Sequence, residues 1–313
     1  MGLDGRSRYG PRVRFALALS FAALTSSLAA RATAFCRTTS DGAFVPSAAR
    51  PCDDKGDPLF WATRCVGFSV QRSASVQVPL PTARALVAEA FAQWSAASCL
   101  ATLGPACSGA PKGPPSLTAR DLGPVDCADV EYVQNAPNAN VIVFRDGVWP
   151  NDGVALALTT VTYKIDGGQI YDADVEVQSN PAVVKLGVTD PIAPDGYDLR
   201  SILTHEVGHF LGLAHTQPSN PEATMFERYR DGQTLMRDLS SDDACGLCNA
   251  YPPDRAAACA PAPNGGLGNL CGGADARRDG CGCSAPGATQ DVGSSAGATV
   301  VLVVVWAARR RRR

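Results

Sequence analysis

The pattern of apolar and polar positions predicts four β-strands in the body of the chain. Two stretches alternate between the two kinds of residue, which is typical of a strand with one buried face. Two others are nearly continuous apolar runs, and the first of these is expected in the centre of a sheet. The alternating stretches are residues 66–71 and 170–178, and the apolar runs are residues 140–145 and 154–164.

Turn and loop signals separate these strands. Asp-Gly-Gly at residues 166–168 predicts a hairpin between the last two strands. Residues 104–127 are rich in Gly, Pro and Ser and contain two cysteines. We therefore expect a loop insertion held by disulfides over this stretch.

Two further stretches predict helices. Residues 82–97 repeat apolar side chains at spacings of three and four, the period of a helix that buries one face, with Thr82 as a candidate cap. A second helix is expected after a loop rich in Pro, Gly and Asp, with Gly196 or Asp198 at its start. Strands combined with these two helices predict an α+β fold, and about 220 residues suit one domain.

The second predicted helix carries His-Glu-Val-Gly-His-Phe-Leu-Gly-Leu-Ala-His, which contains all three histidines of the chain. His205 and His209 are four residues apart, so a helix presents both imidazoles on one face, as two ligands of one zinc ion require. Gly212 can adopt the left-handed conformation that ends a helix and turns the chain, which would return His215 as a third ligand. Three ligands leave a position for water, and Glu206 can reach that water without binding the metal.

A methionine at a defined distance strengthens this interpretation. Met225 lies in Ala-Thr-Met-Phe, ten residues after the third histidine, where the long zinc motif is followed by a tight turn beneath the metal. The motif and this methionine resemble the metzincin clan of zinc endopeptidases, and within it the matrixin-like group. Residues 239–243 also resemble the capped start of the final matrixin helix. The resemblance covers roughly residues 60–252 and is strongest over 199–252.

The resemblance implies a metzincin fold. In this fold a twisted mixed β-sheet packs with two long helices, one of which carries the zinc motif, and a small C-terminal subdomain holds the Met-turn and the final helix. It also implies one catalytic zinc on the three histidines, Glu206 as the general base, and Met225 supporting the site from below. Residues 154–160 would be the lower edge strand, and residues 226–237 the wall of the pocket after the scissile bond. The candidate contacts to an extended peptide substrate on that strand are Ala155, Leu156, Ala157 and Leu158.

Three features of the family do not carry over directly. A second, structural zinc is not expected, because the chain has no histidine outside the motif. Tyr229 lies four residues after the methionine, whereas other metzincins place a ligand tyrosine two residues after it. The residues around Cys52 faintly resemble a cysteine switch, but a disulfide of Cys52 with Cys36 or Cys65 is favoured.

Calcium binding at the Asp-rich loops stays open, with ordinary turn chemistry as the favoured interpretation. These loops are residues 146–152, 166–168 and 190–198.

The two ends of the chain resemble targeting segments. Residues 1–34 combine arginines, an apolar run and Ala-Thr-Ala, which is typical of a secretory signal peptide. The catalytic domain is then expected at residues 35–253, followed by an Ala/Pro/Gly-rich stalk at residues 254–280. Residues 281–313 contain a Cys-Gly-Cys motif, a short apolar run and five arginines. They resemble the sorting tail of myxobacterial surface proteins, with a plain membrane anchor as the alternative.

Charge and cysteine content agree with an exported protein. The two ends account for ten of the 28 basic and one of the 30 acidic residues, so the region between them carries a net charge of −11. This acidic body argues against nucleic acid as a partner. Twelve cysteines indicate disulfides, and Cys99 with Cys107 is a candidate local pair, although sequence alone leaves the connectivity open.

These observations predict a secreted or surface-anchored zinc endopeptidase. Its expected partners are protein or peptide substrates and the membrane machinery that sorts the C-terminal tail, and we expect a monomer. Two alternatives stay open. The first is a catalytically silent binding or adhesion module on a metzincin scaffold, and the second is a zinc exopeptidase.

Overall fold

A computed structural model describes residues 35–41, 52–100, 107, 111–151, 155–217 and 219–271, together with the backbone of residues 299–307. Within these residues the chain forms three α-helices, which are α1 (Leu80–Ser95), α2 (Leu199–Phe210) and α3 (Ser241–Ala250). The strands are β1 (Cys36–Arg37), β2 (Cys65–Gln71), β3 (Thr118–Val125), β4 (Val141–Arg145), β5 (Ala155–Lys164), β6 (Ile170–Gln178), β7 (Leu186–Gly187), β8 (Tyr197–Asp198), β9 (Leu213–Ala214) and β10 (Thr299–Ala307).

Five strands of the body form one mixed sheet in the order β5-β6-β4-β2-β3. Neighbouring strands from β3 to β6 run parallel, whereas β5 is antiparallel to β6. The connection from β5 to β6 is the predicted hairpin, and Gly167 and Gly168 adopt positive φ angles there. β4 lies in the centre, as its apolar run predicts. The α+β fold with a mixed sheet is therefore confirmed.

The prediction of a loop insertion over residues 104–127 is wrong in part, although both of its cysteines form disulfides as expected. Part of this stretch forms β3, which pairs in parallel with β2 at the edge of the sheet. The strand is hard to predict from the sequence because it contains Gly123 and Pro124, and both residue types are depleted from regular strands. An edge strand tolerates proline, since one side of its backbone does not pair within the sheet.

The two longer helices pack against one face of the sheet. Trp94 of α1 is fully buried, and its indole Nε1 donates a hydrogen bond to the carbonyl of Thr204 in α2 over 2.8 Å. The ring of Phe91 stacks on Phe68 of β2 and meets Phe210 of α2 edge to face. These contacts hold α2 firmly between α1 and the sheet.

The helix starts differ in how they are capped. Asp198 caps α2 as predicted, because its carboxylate accepts a hydrogen bond from the amide N–H of Ser201. Thr82 does not cap α1, since the helix begins after Pro79 and no side chain caps it. Proline in the first turn replaces a cap here, because its fixed φ suits the helix and it brings no N–H that needs an acceptor.

Disulfides tie distant parts of the described chain together. The predicted pair of Cys99 with Cys107 is wrong, because each of them bonds instead to a cysteine of α3. Cys52 bonds to Cys36, as favoured from the sequence. The five pairs are Cys36–Cys52, Cys65–Cys259, Cys99–Cys248, Cys107–Cys245 and Cys127–Cys271.

The segment expected as a stalk is attached to the domain over residues 254–271. Two of the disulfides hold it, through Cys259 and Cys271. Cys271 also packs against a small apolar cluster on the sheet face that α1 and α2 leave uncovered. The remainder of the expected stalk lies outside the described residues, as do residues 1–34 and the Cys-Gly-Cys motif.

The apolar run near the C-terminus appears as a strand. Its backbone forms β10, which pairs antiparallel with the outer edge of β5. Among the helices of the described residues, none is both long and apolar enough to span a membrane.

Candidate metal centre

The last two turns of α2 carry three of the predicted functional side chains. His205, Glu206 and His209 are all fully buried. The ring centroids of the two histidines are 4.8 Å apart, and their Nε2 atoms lie 3.1 Å from each other. The expected projection from one helix face is thus present in the structure.

The turn after α2 brings the third histidine back to the other two. Gly212 has a φ of +85°, in the left-handed region, and a Cβ atom there would lie 2.4 Å from the carbonyl oxygen of Leu59. Both the backbone conformation and the close approach therefore require glycine. The ring of His215 lies 5.2 Å from that of His205 and 4.8 Å from that of His209.

Hydrogen bonds fix which nitrogen of each helical histidine faces inward. The Nδ1 atom of His205 contacts the carbonyl of Thr224 at 2.6 Å, and that of His209 contacts the carbonyl of Leu213 at 2.9 Å. Carbonyl oxygens only accept, so both Nδ1 atoms carry the proton and both Nε2 atoms present lone pairs.

This arrangement fits a bound cation. Two lone pairs 3.1 Å apart repel each other, and the Nε2 of His215 has no hydrogen-bond partner among the described residues. Burial lowers the pKa of all three histidines, that of His209 to about 4, so they are neutral at ordinary pH. Candidate ligand atoms of the three side chains lie within 4.8 Å of one another. Three neutral imidazoles suit zinc.

The methionine turn lies where the sequence predicts it. Met225 is buried beneath α2, and its sulfur packs against Gly208. A Cβ atom at position 208 would come within 2.2 Å of this sulfur and 2.7 Å of the Trp94 ring. Gly208 therefore lets the helix sit between the two side chains, a role that the sequence reasoning missed although the glycine lies inside the motif.

A second residue missed from sequence supports the same turn. The buried carboxylate of Asp243 in α3 accepts hydrogen bonds from the amide N–H groups of Thr224 and Met225. It also accepts from the hydroxyl and the amide of Ser240, which caps α3. The start of α3 thereby sets the position of the Thr224 carbonyl, which in turn orients His205.

Glu206 lies against the sheet. Its Oε2 atom accepts a hydrogen bond of 2.6 Å from the hydroxyl of Thr159 in β5, whereas Oε1 has no partner among the described residues. Burial raises the pKa of Glu206 to about 8, and the hydrogen bond from Thr159 opposes part of that rise. One oxygen of the Glu206 carboxyl group is thus fixed by Thr159, and the other is available to accept a further hydrogen bond.

The predicted substrate strand runs directly beside Glu206, but its outer edge is paired in this structure. Ala155, Leu156, Ala157 and Leu158 form the first part of β5. On the outer side, β10 places Val305 opposite Leu158 and Ala307 opposite Ala155. The structure therefore shows this edge covered by residues of the same chain, which the sequence did not suggest.

In two of the three loops named as calcium candidates, carboxylates accept hydrogen bonds from protein groups. Asp146 accepts hydrogen bonds from Ser75, Ser179 and the amide of Val76. Asp190 and Asp198 both accept hydrogen bonds from Arg237. Among the described residues the three histidines are the one group with an arrangement suited to a metal ion.

Tyr229 and Arg237 connect the expected pocket wall to the zinc helix. The hydroxyl of Tyr229 accepts from the amide of Asp198 and donates to the carbonyl of Gln233. Arg237 bonds the Asp198 carboxylate, which caps α2. Tyr229 therefore braces this segment.

Comparison with known proteins agrees with the geometry. Residues 143–252 match the matrixin family of peptidases, a region that includes β5, α2, the Met-turn and α3. A stretch of 57 residues is 42% identical to Metalloendoproteinase 1-MMP of Arabidopsis thaliana. It makes up 18% of this chain and spans 15% of the length of that relative. Together with the three histidines, these similarities support a matrixin-like metalloprotease.

Proposed function

We propose that the protein is an exported zinc-dependent endopeptidase that hydrolyses peptide bonds of protein substrates. The observation that carries this proposal is the convergence of three neutral imidazoles beside a buried carboxyl group with one available oxygen. Structural zinc sites are closed by four protein ligands, whereas three ligands are typical of catalytic zinc.

Different residues of the chain have different roles in the proposed hydrolysis. His205, His209 and His215 would hold the metal, and the carbonyls that accept from the first two keep them in the required tautomer. A bound zinc ion supplies Lewis-acid chemistry, which acidifies water and polarises a carbonyl group. Glu206 accepts a proton at Oε1 from the attacking water and delivers it to the leaving amine. Burial raises the pKa of the Glu206 carboxyl group, which makes it a stronger base than an exposed glutamate.

The position of β5 supports an extended polypeptide as the substrate. Peptides often bind by adding a strand to a sheet edge, where main-chain hydrogen bonds give affinity and side-chain pockets give specificity. The outer edge of β5 accepts such a strand in this structure, because β10 pairs with it over most of its length. A substrate would take the same place, with residues 226–237 as the wall of a side-chain pocket.

Export is proposed from the cysteines and the two ends of the chain. Ten cysteines are paired within the described residues, and such pairing is typical of proteins outside the reducing cytosol. A signal peptide at residues 1–34 and a sorted tail at residues 281–313 would place the domain at the cell surface or in the medium.

The class of activity is tested with the purified, zinc-loaded protein and a mixture of defined peptides. We expect cleavage at internal bonds that a zinc chelator abolishes and added zinc restores. Release of terminal residues alone would instead indicate an exopeptidase. Stoichiometric zinc binding without any cleavage would contradict an enzyme and favour a silent binding module.

A further inference from the structure

Thr159 makes the contact that distinguishes the two oxygens of Glu206. Its side chain is fully buried on the face of β5 that meets α2. The hydroxyl oxygen lies 2.6 Å from Oε2 of Glu206 and 3.2 Å from the main-chain carbonyl of the same residue. A hydroxyl has one proton, and the shorter contact to the carboxyl oxygen is the stronger hydrogen bond.

The hydroxyl group of Thr159 lies on a largely apolar face of β5. Side chains two residues apart share one face of a strand, and Ala157, Val161 and Tyr163 lie with Thr159 in the core that the helices cover. Valine has nearly the same shape as threonine and would suit such a core. A buried hydroxyl costs free energy unless it is hydrogen-bonded, so its contact with Glu206 is what offsets this cost.

We propose that Thr159 is a positioning residue for the reaction, which holds Oε2 of Glu206 so that Oε1 is the oxygen that exchanges the proton. This inference rests on the proposed function, because it assigns Glu206 the role of general base. Thr159 contacts none of the three histidines by hydrogen bonds among the described residues. Its loss should therefore slow the chemical step and leave metal binding and substrate binding nearly unchanged.

The proposal is tested with Thr159→Val, which removes the hydroxyl at nearly constant volume, and with Thr159→Ser, which keeps it. Thr162→Val is the matched control, because the same change falls on the opposite face of the same strand. We expect Thr159→Val to lower kcat by about 10- to 100-fold, the scale of a misplaced reacting group, with KM and zinc affinity within about twofold. Thr159→Ser should recover most of the loss. Equal kcat in Thr159→Val and Thr162→Val, or no recovery by serine, would overturn the positioning role.

A second measurement does not depend on catalysis. Thermal unfolding of the metal-free protein is compared for the wild type, Thr159→Val, Glu206→Leu and the double variant. Because leucine removes the acceptor, we expect Thr159→Val to lower the melting temperature less in that background than in the wild type. Additive shifts would overturn the contact and with it the proposal. Coupled shifts in a protein that cleaves no peptide would instead overturn the proposed function.

Discussion

Two of the functional side chains are held by groups from other parts of the fold. His205 donates to the carbonyl of Thr224, and Asp243 accepts from the amide of that residue and of the next. Glu206 is held by a threonine of the sheet. The geometry of the centre therefore depends on residues that never touch a metal ion.

Replacement of Asp243 by asparagine tests this dependence at the residue scale. The carboxylate accepts from three amide N–H groups and one hydroxyl, and an asparagine side chain has only one oxygen to accept them. We expect a loss of stability of about 2 kcal/mol, the scale of hydrogen bonds to a charged group. Because the Thr224 carbonyl orients His205, zinc affinity should fall about 10- to 100-fold.

Denaturant unfolding and zinc competition with a chromophoric chelator measure the two effects of Asp243→Asn. Asp231→Asn is the control, because Asp231 is exposed on the segment between Met225 and α3. Zinc affinity equal to that of the control would show that the final helix does not set the position of His205.

At the scale of secondary-structure elements, β10 pairs with the edge of β5 to which a substrate strand is expected to add. The two strands are antiparallel and in register from Thr299 opposite Lys164 to Val305 opposite Leu158. Val304 lies opposite Thr159, the residue that bonds Glu206. A peptide substrate that adds to β5 needs the same main-chain groups and must therefore displace β10.

Removal of the C-terminal tail is predicted to speed peptide cleavage. A strand tethered to the same chain competes at a high effective concentration, so a chain ending at residue 280 should show kcat/KM higher by on the order of tenfold. Initial rates on one peptide measure the difference. Val304→Pro in the full chain should raise the rate in the same direction, because proline removes an amide donor and disrupts pairing. Equal rates for all three proteins would contradict competition for β5.

At the scale of the whole molecule, the sheet buries two acids on the face away from α1 and α2. Asp172 and Asp174 are both buried on β6 and share a side-chain hydrogen bond, and Val141 donates its amide N–H to Asp174. Burial raises the pKa of both, that of Asp172 to about 8. Tyr132 lies near this pair, and on the same strand Glu176 bonds Arg145.

These acids are predicted to make stability depend on pH. The folded protein favours the protonated form of these acids. Their contribution to the free energy of unfolding is therefore fully present below about pH 4, where an exposed aspartate titrates. This contribution is lost as pH rises to about 8. Asp172→Asn should therefore stabilise the protein relative to the wild type more at pH 8 than at pH 5. Free energies of unfolding at the two pH values test this, with Asp166→Asn on the exposed hairpin as the control. The same gain at both pH values would contradict a raised pKa.

The sequence predicted the convergence of the three histidines because the pattern that produces it is local. The three histidines, Glu206 and the turn at Gly212 lie within eleven consecutive residues, and helix geometry fixes the arrangement of those on α2. What it missed depends on contacts between distant segments. No local pattern shows that Thr159 faces Glu206, or that Cys107 is bonded to Cys245 rather than to Cys99. β3 was missed because its proline resembles a loop signal until the edge position is known.

The central claim is that Glu206 moves the proton while the histidines alone hold the metal, and Glu206→Gln tests it most directly. Zinc content and peptide cleavage are measured on the same preparations of the wild type, Glu206→Gln and Glu222→Gln, which changes an exposed glutamate as a control. We predict one zinc per chain in all three proteins and a kcat lower by about 10²- to 10⁴-fold in Glu206→Gln alone. Cleavage by Glu206→Gln at the wild-type rate would contradict the account.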